Sequence, residues 1–546
     1  MKKHRPSKWL LASVALQLLI LTANASNYFL SPSGDDSNPG TVQQPWKSLA
    51  KVNQTLLHPG DGVYLEGGQS FTGNLVLTGT GSDGNPVVIG SYGQGIATID
   101  SNSETAIYGE NTGGFQIQDL KLINSGTNGD GIGFYTDRTK AVKYPGILIN
   151  HVEISGVPGD GITVGSWNPA NPGWTYVIAS NVNIHECSEG MSTYGYTVPG
   201  TTTHAINWLY VSDSEFFNND SSGLVVCGAK RGIVEYCSFH DNQSTGGCWT
   251  WGTSGITIQH CLSFNNLKGD GNDGFGFDLD GGSQNCTIQY CLSYGNETPG
   301  FVIFDYTQSA VTKNDTIRYC ISENDARSDS EWGSFEIFPW ADTSIANCHI
   351  YNCVAYLTTR SGTRCASGFE SYGKESTTGY GSGRTVGCSF RNNVIYLDGP
   401  GTDLRLFTGN RGGILPREVE FQGNVYYSSQ GGVAIYFNDH FYSDFENWRL
   451  MAPGQETLRG KNLGAFVNPL FSNLGTAHTL QNPYLLSALT SYQPTFSSPC
   501  IDRGLNLKKL FRINPGEFDF LGRSLPTNGP FGIGAFDADS FSFSAR

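Results

Sequence analysis

Residues 235–291 read EYCSFHDNQSTGGCWTWGTSGITIQHCLSFNNLKGDGNDGFGFDLDGGSQNCTIQYC. The stretch repeats one short signature three times: Glu235-Tyr236-Cys237, Gln259-His260-Cys261 and Gln289-Tyr290-Cys291. Downstream it continues as Arg318-Tyr319-Cys320 and Tyr351-Asn352-Cys353, giving intervals of 24, 30, 29 and 33 residues between cysteines. Asn stands in the same register at Asn393 and Asn424, and the register runs back less regularly through Ser214, Asn181, His151 and Asp119. A second ladder lies five residues earlier, at Cys286, Cys348 and Cys388. A period of roughly 20–50 residues is the mark of a solenoid in which each repeat is one coil.

Each coil also carries a glycine followed by an alternating strand, as in Gly161-Ile-Thr-Val164, Gly223-Leu-Val-Val226, Gly274-Phe-Gly-Phe277, Gly300-Phe-Val-Ile303, Gly333-Ser-Phe-Glu336 and Gly368-Phe-Glu-Ser371. Strands and turns without helical periodicity, stacked in one direction, make parallel sheets. With right-handed crossovers, the expected fold is all-β: a right-handed parallel β-helix of about eleven coils from near Asp119 to Asn424, with irregular N- and C-terminal segments. The variable intervals do not suit the regular blades of a propeller.

Composition agrees. Gly supplies 70 of 546 residues and Met only 3, with aromatics at 12% and charged residues at 15%, which excludes a coiled coil. A hydrophobic content of 38% excludes disorder. Residues 1–25 read as a secretory signal peptide: Lys2, Lys3, Arg5 and Lys8, then the apolar run Trp9 to Leu21, then Ala23-Asn24-Ala25 before Ser26. The protein is expected to be exported, soluble and monomeric, with no membrane insertion. Cleavage leaves 29 Lys plus Arg against 48 Asp plus Glu, a balance that argues against nucleic acid as partner. Thirteen cysteines in an exported chain would suggest disulfides. Their once-per-coil spacing instead predicts mostly reduced, buried thiols stacked as a column. No C-x-x-C or Cys/His cluster has zinc spacing. The chain divides into the signal peptide, an N-terminal cap with first coils (26–115), a β-helix core (116–430) and a C-terminal excursion and closing segment (431–546).

The stretch YFLSPSGDDSNPGTVQQPWKSLAKVN, Tyr28 to Asn53, resembles the opening of bacterial pectate-lyase-like β-helix proteins, as does Pro59-Gly60-Asp61-Gly62-Val63-Tyr64-Leu65. The far end is similar too: Ser498-Pro499-Cys500-Ile501-Asp502-Arg503-Gly504, Asp519 to Arg523, and Gly532 to Phe536. The resemblance implies the β-helix fold and a carbohydrate-active protein. It leaves lyase, hydrolase, epimerase and non-enzymatic functions open.

One stretch carries candidate chemistry, Lys268 to Gly282, KGDGNDGFGFDLDGG. Alternation that turns Phe275, Phe277 and Leu279 inward turns Gly276, Asp278 and Asp280 outward, the two carboxylates about 7 Å apart along the strand. Asp273 precedes the turn. Asp305, Glu336 and Glu370 join the same face from neighbouring coils. Crowded acids repel one another and raise some of their pKa values, the condition glycoside hydrolysis exploits by keeping one carboxyl protonated and one ionised. Asp280 is expected as nucleophile or base, Asp273 as general acid, and Asp278 as the alternate for either. The spacing of Asp273 and Asp280 is similar to that of the paired aspartates of β-helix glycosidases of the lacto-N-biosidase type. Trp249 and Trp251 one coil earlier, with Trp332 and Trp340 two coils later, offer aromatic faces for sugar rings. The structural alternatives are Asp-Gly turns at Asp270 and Asp273, calcium ligation by Asp278 and Asp280, and ordinary packing of the tryptophans.

His240-Asp241 is a second, weaker base–orienter pair. Serine-hydrolase, P-loop and dinucleotide signatures are absent. The first reading is therefore a glycoside hydrolase acting on a polysaccharide or oligosaccharide, with no metal or other cofactor required. The second is a polysaccharide lyase or epimerase on uronates, with Ca2+ as cofactor and a base among Lys268, Arg318, Arg360 and Arg364. The third is a non-catalytic glycan-binding or surface protein.

Overall fold

The computed structural model describes residues 25–537 apart from short stretches at 197–202, 270–272, 307–310, 328–331, 341–342, 359–366, 373–383, 400–403, 409–418, 433–434 and 438–439. Side chains of the strands Ser367–Tyr372 and Leu404–Thr408 are also outside the description. Nearly all of the expected signal peptide, together with Asp270, Arg360 and Arg364, lies outside the described residues.

The chain is a right-handed parallel β-helix. One 25-stranded sheet forms two walls of the solenoid and a 14-stranded sheet forms the third. Each coil bends between the first two walls at a single residue of positive φ. In the early coils the bend interrupts long strands, Phe115–Ile123 at Asp119, Ile147–Ser155 at His151 and Val177–His185 at Asn181, with φ of 53°, 54° and 52°. Later coils split there, as at Tyr236 between the strands Gly232–Glu235 and Ser238–His240. Eleven such bends run from Asp119 to Gly423, in line with the expected coil count. Coils already begin before them, since Gly62–Glu66 and Val87–Tyr92 pair in the same sheet.

The cysteine ladder follows from these bends. A left-handed residue turns a carbonyl out of the strand ladder, and the thiol one position later donates to it. Cys237 donates to the Glu235 carbonyl (3.3 Å), Cys261 to Gln259 (3.2 Å), Cys291 to Gln289 (3.2 Å), Cys320 to Arg318 (3.3 Å) and Cys353 to Tyr351 (3.4 Å). Ser214 does the same with Ser212 (2.5 Å). Cys286, Cys348 and Cys388 repeat the arrangement at another corner. Asn393 and Asn424 instead bond to carbonyls of the preceding coil, Ile350 and Phe390. The backward extension is corrected at three positions. Asn181, His151 and Asp119 are the bend residues themselves, and Val182, Val152 and Leu120 take the inward place beside them. All twelve described cysteines are buried, unpaired thiols. No helix among the described residues is long and apolar enough to cross a membrane.

The C-terminal residues close over the outside of the bend. Leu486, Tyr492, Leu507, Phe520 and Phe536 pack with Tyr290, Tyr319 and Tyr351 in a second apolar cluster, separate from the solenoid core.

Candidate active site

The site lies on the outer surface of the 14-stranded sheet. Its central strand is Phe275–Leu279, paired in parallel with Gly246–Trp251 before it and Phe301–Asp305 after it. Phe277 and Leu279 fill the solenoid core, so Asp278 faces outward as alternation requires. The entry to the strand differs from the sequence expectation. A Cβ at Gly276 would lie 2.4 Å from Ser293 Oγ and 2.5 Å from the Gly300 carbonyl, so this position turns inward at the corner and admits only glycine. Gly161, Gly190, Gly223 and Gly247 approach the next coil in the same way. The glycine landmark of this coil is therefore Gly276 and not Gly274. Phe275, expected inside, lies before the corner and packs outside with Val302, Phe338, Trp249, Phe304 and Trp332.

Register aligns the outward column as Trp249, Asp278, Val302, Glu336, Glu370. Asp278 is outward but 0% exposed, and neither carboxylate oxygen has a hydrogen-bond partner among the described residues. Burial pushes its pKa well above the usual carboxylate range, and the charges of Asp280, Asp273 and Glu336 add to the shift. Asp280 is also buried and accepts the Gly281 amide at 2.5 Å. Burial, then Asp305 and Asp273, hold its carboxyl well above the usual range despite that bond. Asp273 is half-buried, and desolvation raises it to about 6 against the opposing pull of Lys268. Glu336 is buried and accepts the Gly333 amide at 3.2 Å. Glu370 holds its register place beside Glu336, and its side chain is outside the description. Asp305 is displaced from the acid column. It ends its strand on the opposite parity, where its carboxylate accepts the Thr312 amide at 3.2 Å.

Aromatic rings roof these acids. The Trp249 indole donates to Ser222 Oγ at 2.8 Å. The buried indole N–H of Trp251 has no partner among the described residues. Trp332 packs edge-on to Phe338 at 5.7 Å, and Trp340 does so at 5.6 Å. Tyr306 completes the surface. It is stacked 6.5 Å from Trp251, and its hydroxyl pKa is raised by burial and by Asp280, Asp278 and Asp273 together. In the sequence, carrying the alternation Val302, Phe304 two residues further reaches Tyr306.

Other candidates lie elsewhere. His240 sits on the opposite sheet with both ring nitrogens engaged, by Asp241 (2.7 Å) and Glu215 (3.1 Å). Arg318 is also on that sheet, donating to Gln289, Tyr351 and the Asn514 carbonyl. No group of three or more His, Cys, Asp or Glu among the described residues is arranged to hold a metal ion.

Residues 166–321 match the protein family described as the right-handed beta helix region. No curated protein matches the sequence. The solved GH136 lacto-N-biosidase from Eubacterium ramulus is similar over 81% of this chain and 68% of its own, at 16% identity and a TM-score of 0.42. Pectate lyase Pel9A is similar over 94% of this chain and 97% of its own, at 15% identity and 0.37. The mannuronan C-5 epimerase AlgE6 A-module from Azotobacter vinelandii is similar over 75% and 92%, at 16% and 0.44. The likeness is one of fold.

Proposed function

We propose that the protein is an exported glycoside hydrolase that cleaves a polysaccharide or oligosaccharide on the outer face of its β-helix. The observation that carries this reading is Asp278: a fully buried carboxyl whose oxygens have no side-chain partner among the described residues, in register with Trp249 and acted on by the charges of Asp280, Asp273 and Glu336. An orphaned buried polar group is costly, and such groups cluster where a ligand completes the site.

The roles we infer reverse the sequence expectation. Asp273, the half-buried member, is raised to about 6, and burial holds Asp278 and Asp280 well above the usual carboxylate range. At neutral pH the Asp273 carboxylate serves as base or nucleophile. The buried pair holds the proton that passes to the departing glycosidic oxygen as the C–O bond breaks. Water supplies the hydroxyl for the new reducing end and the proton that restores the acid.

The test is a screen of the purified protein on a panel of neutral and uronate-containing glycans, with and without chelator. Hydrolysis gives new reducing ends, no ultraviolet-absorbing unsaturated product, and rates unchanged by the chelator. Activity rises with pH through about 6 as Asp273 ionises, and Asp273→Asn lowers kcat by about 10²–10⁴-fold. Asp278→Asn lowers kcat by about 10²–10⁴-fold. Absorbing products that vanish on chelation establish the lyase reading in its place.

A further inference from the structure

The outer face that carries the aspartates continues toward the N-terminus, and three coils away it forms a second aromatic and polar patch. The strand Met191–Tyr194 pairs with Ser222–Cys227, which pairs with Gly246–Trp251, which pairs with the aspartate strand. At a coil rise of about 4.8 Å, Tyr194 is therefore about 14 Å from Asp280 along the solenoid axis. Tyr194 ends its strand on the same outward parity as Ser192, and its hydroxyl donates to Asp160 at 3.3 Å. Trp167 stands over its ring, with centroids 4.7 Å apart, and remains 54% exposed. Asp160 also accepts from Thr163 (3.2 Å), and Glu189 accepts from Ser192 and from Ser221 (3.2 Å). Between the two patches, Ser222 Oγ receives the Trp249 indole, so polar and aromatic side chains run on from one patch to the other.

We propose that Trp167 and Tyr194 form a remote subsite for a sugar ring of the same glycan chain whose bond is cut at Asp278 and Asp280. This rests on the hydrolase reading and extends it to a substrate class: a neutral glycan long enough to span at least three coils. The coil rise is close to the length of one pyranose unit, so a chain lying along the axis meets about one coil per sugar. The Trp167 ring, tilted 36° against tyrosine and more than half exposed, offers an apolar surface for a pyranose. Carboxyl and hydroxyl groups fixed beside it match the hydroxyls at a sugar's edge. Burial raises the pKa of Asp160 and Glu189 against the lowering effect of the hydroxyls they accept from. A uronate chain would bring its carboxylates against these acids.

The experiment compares wild type and Trp167→Ala on neutral oligosaccharides of increasing length from a panel of β-linked glucose, xylose and mannose chains. Cleavage is read as KM and kcat, and binding is measured on an Asp278→Asn background. The expected result is a KM raised about 3–10-fold on chains that span both patches, from loss of one stacking contact. On the shortest cleaved chain kcat and KM stay unchanged. Tyr194→Phe gives a smaller loss of the same length dependence. Cleavage whose dependence on chain length is identical in wild type and Trp167→Ala overturns the subsite and leaves the hydrolase reading standing. A wild-type protein that neither binds nor cleaves any chain of the panel overturns both.

Discussion

Asp278 shows what an unsatisfied residue costs. A carboxyl with a raised pKa binds its proton more tightly in the folded state than in the unfolded chain, where the value is near 3.9. The folded state therefore holds more protons over the interval between the two values, and stability falls as pH rises through it. Below the unfolded pKa both states are protonated and the penalty is absent. Asp278→Asn removes the charge while nearly keeping the volume. The variant is thus expected to melt a few degrees above wild type near pH 8, with the difference vanishing at about pH 3–4. Calorimetry across that range checks it, and equal melting temperatures at both ends would show that the carboxyl is already compensated. A stabilised but inactive protein is the signature of strain retained for function. The outward parity of Asp278 was legible from Phe277 and Leu279. Its burial was not, because alternation gives direction, while the aromatic roof is assembled from Phe275, Phe304, Trp332 and Phe338, residues up to 63 positions apart.

At the scale of the element, the coil is a device for satisfying its own corners. Besides the thiols, a buried asparagine ladder runs along one edge. The Asn219 side chain donates to Asn242 (2.9 Å), Asn242 to Asn266 (3.1 Å), Asn266 to Asn296 (2.8 Å) and Asn296 to Asp325 (2.8 Å). Each Oδ1 also accepts the backbone amide of the preceding rung, as Asn266 does from Asn242 (3.1 Å). Asn266→Ala strips two donors of Asn242 of their acceptor and is expected to cost about 2–4 kcal/mol in chemical denaturation. A loss within about 0.5 kcal/mol, the range of a surface change, would mean that water takes over the rung. This ladder has the same spacing as the cysteines and was legible in principle. Cysteine is rare, so its recurrence is distinctive, whereas asparagine is common in turns of every kind. The glycine landmark failed for a related reason. Gly274 and Gly276 both precede an apolar residue, and only the approach of the Gly300 carbonyl shows which one occupies the corner.

At the scale of the molecule, the exposed bends raise a problem that the C-terminal segment solves. A solenoid places its left-handed residues in a row on the outside, and here many of them are Tyr and His, stacked as Tyr236, His260, Tyr290 and Tyr319. Such residues pay a steric penalty in that conformation and would leave a long apolar stripe in water. The C-terminal segment covers the stripe and bonds to it. Tyr290 donates to the Phe518 carbonyl (3.2 Å), Tyr351 to Asn514 (2.6 Å), and Asn352 to Gly532 and Gly534 (3.1 Å each). Glu323 is the anchor. Its fully buried carboxylate accepts the amides of Ala477 (2.8 Å) and His478 (3.2 Å), the His478 imidazole (2.5 Å) and the Tyr492 hydroxyl. Four donors converge on one side chain, so Glu323→Gln must turn an amide N–H toward at least one of them. The expected cost is about 2–3 kcal/mol, as for hydrogen bonds to a charged group. Because the loss falls on the strap and not on the coils, it appears first as local opening. Limited proteolysis of the variant should cut between 467 and 500 well before the solenoid is touched, with glycan cleavage at the opposite face retained. If cutting in this stretch is no faster than in wild type, the apolar contacts of Tyr492 and Leu486 hold the strap without the carboxylate. If opening instead abolishes cleavage, the strap and the aspartate face are energetically coupled through the coils that carry both.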